Sequence, residues 1–218
     1  MPVLTIASSK GGGGKTTIAM ILVSALAADG LQIVALDADP TQAFSRWAKN
    51  AYEGPSFSCT AEADETRLAH LIDRNADTAD LVIVDTAGFG NRAAAVAMTS
   101  ADLILIPALS GEDDITEAEK TYNLAEGLAR AARRKIPAFV LLNKVRRTTL
   151  ARHAANEIKT ASLPRLDATI SDLVAYGELS YGTRLPLSGP AHAEAVALIA
   201  ELREKGRIPT SIRNAVGV

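Results

Sequence analysis

The chain has 218 residues, 48% of them hydrophobic and only 4% aromatic, with 23 basic and 25 acidic side chains and a net charge of −2. That balance excludes a disordered chain and fits one domain with a core of Ala, Val, Ile and Leu. The single cysteine, Cys59, excludes an intramolecular disulfide, and no signal peptide or membrane-length apolar run is visible, so a cytoplasmic protein is expected.

In chain order, the first apolar run, Val3–Ala7, reads as a strand. It leads into Ser9-Lys10-Gly11-Gly12-Gly13-Gly14-Lys15-Thr16-Thr17 and then a helical pattern over Lys15–Ala28. Strand, glycine loop and helix point successive backbone N–H groups at one spot beside the positive end of a helix dipole. A polyphosphate suits such a spot, with Lys15 reaching the β- and γ-phosphates and the Thr16 hydroxyl available to Mg²⁺. The usual phosphate loop has Gly where this chain has Ser9, and a second lysine, Lys10, precedes the glycines.

A second strand, Gln32–Asp37, ends in Asp37-Ala38-Asp39-Pro40-Thr41-Gln42, ahead of a helix over Thr41–Ala51. Two carboxylates so close at a strand end are costly unless they meet a cation or orient a water. Asp39 before Pro40 also suits the N-cap of the following helix. A helix over Asp64–Asn75 precedes the strand Leu81–Asp85, whose apolar residues ending in Asp read as a metal-holding carboxylate. Gly88 and Gly90 then permit a mobile loop. The pattern continues with a helix Arg92–Thr99, a strand Leu103–Pro107, a helix Glu112–Arg134 and a strand Ala138–Asn143. It closes with helices Thr148–Ala161, Ser171–Tyr181 and Pro190–Lys205 around a weaker strand, Arg165–Ile170. Strands alternating with helices predict an α/β fold, a single domain with a mainly parallel sheet and helices on both faces, and its glycine loop resembles that of a P-loop NTPase. The domain is expected over residues 1–206, with 207–218 as a loose tail. Ligands of such a sheet gather at the carboxyl ends of the strands, where the singled-out residues fall.

The form K-G-G-x-G-K-T-T, with the Asp37–Gln42 segment and the strand ending in Asp85, resembles the ParA/MinD family of deviant Walker A ATPases. Short plasmid-partition ParA proteins match best in size, and small ParA-like ATPases of conjugative DNA transfer are almost as similar. The resemblance implies a homodimer formed on ATP binding, in which Lys10 reaches the partner's nucleotide. It also implies that Asp39 holds the attacking water, that Asp37 supports Mg²⁺ and the switch loop, and that Asn143 contacts adenine. Thr41 before Gln42 departs from the family's pattern. After Asn143-Lys144-Val145 stands Arg146, where a guanine-reading motif needs a carboxylate, which favours ATP over GTP. The catalytic set is thus Lys10, Lys15, Asp39 and Asp37. Gly11 to Gly14, Lys15, Thr16, Thr17 and Asn143 bind the nucleotide with Lys10, and Thr16, Asp85 and Asp37 serve the metal.

Charge is segregated along the chain. Between Glu126 and Glu157 there is no acidic residue, while Arg130, Arg133, Arg134, Lys135, Lys144, Arg146, Arg147 and Arg152 lie there. On the predicted helix, Leu150, Ala154 and Ile158 form an inward stripe and Arg152, Asn156 and Lys159 another face. Phosphate-backbone binding needs no base-reading motif, so this segment is the candidate DNA surface. Basic residues at a helix C-terminus are also ordinary dipole partners, which explains Arg130–Lys135 without DNA. His70, His153 and His192 are scattered and read as surface residues.

The leading expectation is a weak ATPase, stimulated by partner and DNA. It would dimerise on ATP and bind DNA non-specifically at the nucleoid. It would drive plasmid or chromosome partitioning with a centromere-binding ParB-like or ribbon-helix-helix protein. The alternatives are an accessory ATPase of conjugative transfer, a P-loop metabolic kinase or amidoligase, and a nucleotide-dependent scaffold. The C-terminal segment contains Pro209 and little apolar face, so no membrane targeting is expected.

Overall fold

The computed structural model describes residues 2–88, 90–146, 154, 156, 158–182 and 184–210. Its elements run β1 (Val3–Ile6), α1 (Lys15–Ala28), β2 (Ile33–Ala38), α2 (Ala43–Asn50), β3 (Ser58–Ala61), α3 (Glu65–Ala76) and β4 (Leu81–Thr86). They continue with α4 (Arg92–Ser100), β5 (Leu103–Ala108), α5 (Glu112–Ala131), β6 (Ala138–Val145), β7 (Arg165–Ser171), α6 (Val174–Gly182) and α7 (Gly189–Glu204). The strands form one sheet in the order β3-β2-β4-β1-β5-β6-β7, and every pairing is parallel.

The apolar runs are continuous because both faces of the sheet are covered. Leu81 and Ile83 of β4 pack with α1, Phe44 and Trp47 of α2, and Leu198 and Leu202 of α7. Val82 and Val84, one residue out of phase, pack with Leu68 and Ile72 of α3 and Ala93 and Ala97 of α4. Ile104, Ile106, Val140 and Leu142 extend that second face beneath α5. This is the α/β architecture expected from the sequence.

Three details differ from expectation. β3 was not foreseen: Ser58-Cys59-Thr60-Ala61 is polar and only half-buried, because it pairs with β2 alone at the sheet edge. The helix expected from Thr41 begins at Ala43, since Gln42 takes a left-handed conformation at φ 54°. The helix expected from Ser171 begins at Val174, after β7 has run on through Ser171. Within the predicted Thr148–Ala161 helix, residues 154, 156 and 158–160 are helical and Ala154 and Ile158 are buried. Leu150 and His153 lie outside the described residues, as does the end of the predicted tail, 211–218. At the start of that tail, the Arg207 amide donates to the Leu202 carbonyl and Ile208 is buried. Cys59 is a free thiol, pushed up to about 12 by burial.

The two sheet edges are finished differently. On β7 the amides of Asp167 and Ala168 donate to the Glu201 carboxylate, and that of Ser171 to Glu194, both on α7. The β3 edge has no such cover among the described hydrogen bonds.

Candidate nucleotide-binding site

The phosphate loop leaves the carboxyl end of β1 and enters α1 at Gly14. Gly12 and Gly14 have φ of 84° and 90°, a region closed to most side chains. At Gly14 the demand is twofold, because a Cβ there would lie 2.1 Å from the Asn143 side-chain nitrogen. Asn143 ends the buried part of β6 and donates from Nδ2 to the Gly13 carbonyl at 2.9 Å, while its Oδ1 accepts the Lys144 amide. Asn143 therefore braces the loop from behind, a contact that spacing along the chain did not reveal.

Lys15 is buried, and its ammonium lies 3.4 Å from both the Ser8 hydroxyl and the Lys10 carbonyl. Burial pulls its pKa below that of an ordinary lysine, offset in part by the charges of Asp85 and Asp39. A cation held dry and under-coordinated is poised for an anion. Thr16 donates to Asp85 Oδ2 at 2.7 Å. Asp85 is sealed from solvent, and its second oxygen, Oδ1, has no hydrogen-bond partner. Burial raises its pKa to about 7, against the opposing pull of the Thr16 hydrogen bond. An orphan carboxylate oxygen beside a threonine hydroxyl fits Mg²⁺, which takes oxygen ligands.

Asp37 is the register partner of Asp85 on the neighbouring strand and is equally buried. Its oxygens accept the backbone amides of Asp39, at 3.2 Å, and Ser45, at 2.8 Å. Burial raises its pKa and those amides work against the rise. The N-cap duty suggested for Asp39 thus falls elsewhere: Asp37 holds the Ser45 amide in the first turn of α2. Asp39 instead closes a tight turn by accepting the Thr41 amide at 2.8 Å. Asp39 is half-buried and bears on the charges of Lys15 and Asp85, so the strand ends do bring these groups together. Gly88 lies over the loop, its Cβ position 3.7 Å from the Gly11 amide.

Lys10 is about half exposed, with Nζ 3.0 Å from Asp114 of α5. The Asp114 hydrogen bond raises its pKa. Sequence reasoning missed Asp114, Glu117 and Thr121, which all touch Ser9 or Lys10 from α5. Their spacing of three and four was the available signal.

The basic segment does not form one patch. Arg130, Arg133, Arg134 and Lys135 end α5, at the amino ends of the strands, whereas Lys144 and Arg146 lie at the carboxyl end of β6. Six residues of β6 precede Lys144 and all eight precede Arg146, a separation of about 20–25 Å. Arg134 is also tied to Asp102 at 2.7 Å and to the Thr99 carbonyl, and Arg146 to Asp172 at 2.7 Å. Arg147 and Arg152 lie outside the described residues. Among the described residues no group of three or more His, Cys, Asp or Glu side chains is placed to hold a metal by itself, and no helix is long and apolar enough to cross a membrane.

Comparison with known proteins bears on this geometry. The family model described as VirC1 protein matches residues 1–204. The chain belongs to the VirC1 family. A VirC1 protein of Rhizobium radiobacter is 33% identical over 187 residues, 82% of this chain and 80% of the relative. A ParA protein of Rhizobium radiobacter is 35% identical over 146 residues, 66% of this chain and 65% of the relative. Among solved structures, a Cyanothece McdA variant in complex with ATP superposes with a TM-score of 0.77 at 16% identity, over 96% of this chain and 98% of its own. This VirC1-family chain thus shares its fold with MinD of Aquifex aeolicus and with a putative plasmid partition protein of Borrelia burgdorferi, at TM-scores of 0.76 and 0.72.

Proposed function

We propose that this protein is an ATPase that dimerises on ATP, binds DNA without sequence preference and drives partitioning of plasmid or chromosomal DNA. Its partner would be a centromere-binding protein of the ParB-like or ribbon-helix-helix kind, and its place the nucleoid. The observation that carries the reading is the convergence of Lys15, Thr16 and the orphan oxygen of Asp85 on one loop.

Bound Mg²⁺ supplies neutralising charge at the β- and γ-phosphates. Thr16 and Asp85 would hold it, with Asp37 behind them. The amides of Gly11 to Gly14, with Lys15, Thr16 and Thr17, cradle the phosphates, and Asn143 lies at the base end. Asp39, whose charge bears on Lys15, would orient the attacking water. Lys10 is held only by a solvent-screened ion pair, so a second subunit's nucleotide can compete for it. Hydrolysis is then slow in the monomer and tied to dimerisation, as in switches that receive a cationic finger from a partner.

For DNA, Lys144 and Arg146 form the proposed contact at the nucleotide end of the sheet, and Arg147 and Arg152 are proposed with them from their charge in the sequence. Arg130, Arg133 and Arg134 form a separate cluster at the opposite end. Mass in solution with ATP and with ADP tests dimerisation; a monomer with ATP, even in an Asp39→Ala form, rejects it. A mobility-shift assay on random duplex, with Arg146 and Arg147 changed to Ala, tests the surface. Undiminished binding removes it from the account.

The extent of the VirC1 match favours a second reading, an accessory ATPase of conjugative DNA transfer: that family spans residues 1–204, whereas the ParA relative aligns over 146 residues. Loss of plasmid inheritance in a null strain, with transfer intact, favours partition, and the reverse favours transfer.

A further inference from the structure

Ser9 occupies the place of a glycine in the usual phosphate loop, and α5 closes on it from three sides. The Ser9 amide donates to the Thr121 hydroxyl at 2.9 Å, away from the phosphate cradle. The Ser9 hydroxyl donates to the Glu117 carboxylate at 2.6 Å and lies 2.9 Å from the Glu117 carbonyl. Thr121 is itself buried and oriented, because its hydroxyl donates to the same Glu117 carbonyl at 2.8 Å. Its hydrogen thus points down the helix and its lone pair at Ser9. On the outer side, Lys120 holds the other oxygen of the Glu117 carboxylate at 2.7 Å.

This clamp acts on the next residue. The Lys10 carbonyl accepts the Ser8 hydroxyl at 2.7 Å and lies 3.4 Å from the Lys15 ammonium. It is therefore an anchor for the one buried cation of the site, and it begins one residue beyond the clamped Ser9, so holding Ser9 fixes where the Lys10 backbone starts. A glycine at position 9 would keep the amide bond but lose the hydroxyl, so the chain would rest on one contact instead of two.

We propose that Glu117 and Thr121 are positioning residues for nucleotide binding: they clamp Ser9 and thereby fix where the Lys10 carbonyl holds the Lys15 ammonium. The inference rests on the ATPase reading for its effect on turnover, but the clamp itself is present without nucleotide.

The test pairs Thr121→Val, which keeps the shape and removes the acceptor, with Thr121→Ser, which restores the hydroxyl. In the full chain without nucleotide, hydrogen exchange at the Ser9 amide is slow, quickens about tenfold or more in Thr121→Val and slows again in Thr121→Ser. In steady-state turnover, Thr121→Val raises KM for ATP about fivefold, the worth of one hydrogen bond, while kcat stays within about twofold. Glu117→Ala gives a smaller rise, about threefold, and Glu117→Gln, which retains an acceptor for the Ser9 hydroxyl, recovers it. Should Thr121→Val fail to fold, the half-buried Glu117 pair carries the same measurement. Unchanged Ser9 exchange in the altered proteins overturns the clamp, as does a fall in kcat alone with KM untouched. If the unaltered protein turns over no ATP, the ATPase reading fails, and Ser9 exchange still decides the clamp.

Discussion

Asp37 and Asp85 stand side by side on neighbouring strands, both sealed from solvent, and their surroundings make them opposites. Both oxygens of Asp37 are met by backbone amides, so its charge is compensated by the fold itself. Asp85 has one partner, the Thr16 hydroxyl, and an oxygen facing nothing. A buried carboxylate with two amides is an anchor. A buried carboxylate with an empty oxygen is a cost that the fold carries for a ligand.

The largest effect should come from Asp85→Asn. Turnover falls about a hundredfold or more, because a neutral amide is a poor Mg²⁺ ligand, while the thermal midpoint of the nucleotide-free protein rises at pH 8. A fall in midpoint breaks the contrast, since it makes Asp85 an anchor like its neighbour. Asp37→Ala does the reverse. It strands the amides of Asp39 and Ser45 and costs about 2–3 kcal/mol in a denaturant titration. If Asp37→Ala keeps its stability and loses only turnover, Asp37 belongs with the metal as the family resemblance implies.

A pH series sharpens the same point. In the folded, metal-free protein Asp85 keeps its proton up to about pH 7, whereas unfolded it releases it near 3.8. Between those values the folded state holds more protons, so stability falls as pH rises from about 4 through 7. The loss is at most about 4 kcal/mol, and Asp85→Asn flattens that part of the profile. A profile unchanged by the substitution contradicts the assignment. The smallest effect belongs to Ser45→Ala, below about 1 kcal/mol, because the Ser45 amide that Asp37 holds at 2.8 Å is kept while only the hydroxyl is lost. A larger loss would place the hydroxyl in the anchor.

Much of the fold is legible in the sequence because a doubly covered parallel sheet writes itself as apolar runs. Leu81 to Val84 reads as a strand since both faces are buried. Ser58–Ala61 does not, since an edge strand with one neighbour needs no apolar run. The loop glycines, Lys15, Thr16 and Asp85 are likewise readable, each lying just after a run. What local reading misses is reach across the chain: Asn143 bracing Gly13, and α5 gripping Ser9 over more than a hundred residues. The basic segment shows the opposite error. Arg130–Lys135 and Lys144–Arg146 are neighbours in sequence, and β6 carries them to opposite ends of the sheet.

The carboxylates of Glu194 and Glu201 give the β7 edge a consequence of its own. By taking the amides of Asp167, Ala168 and Ser171, α7 does the work of a missing eighth strand. That border is closed to strand addition by another chain, so aggregation through it requires α7 to detach first. Removing both side chains would leave those amides without acceptors and open that border to another strand.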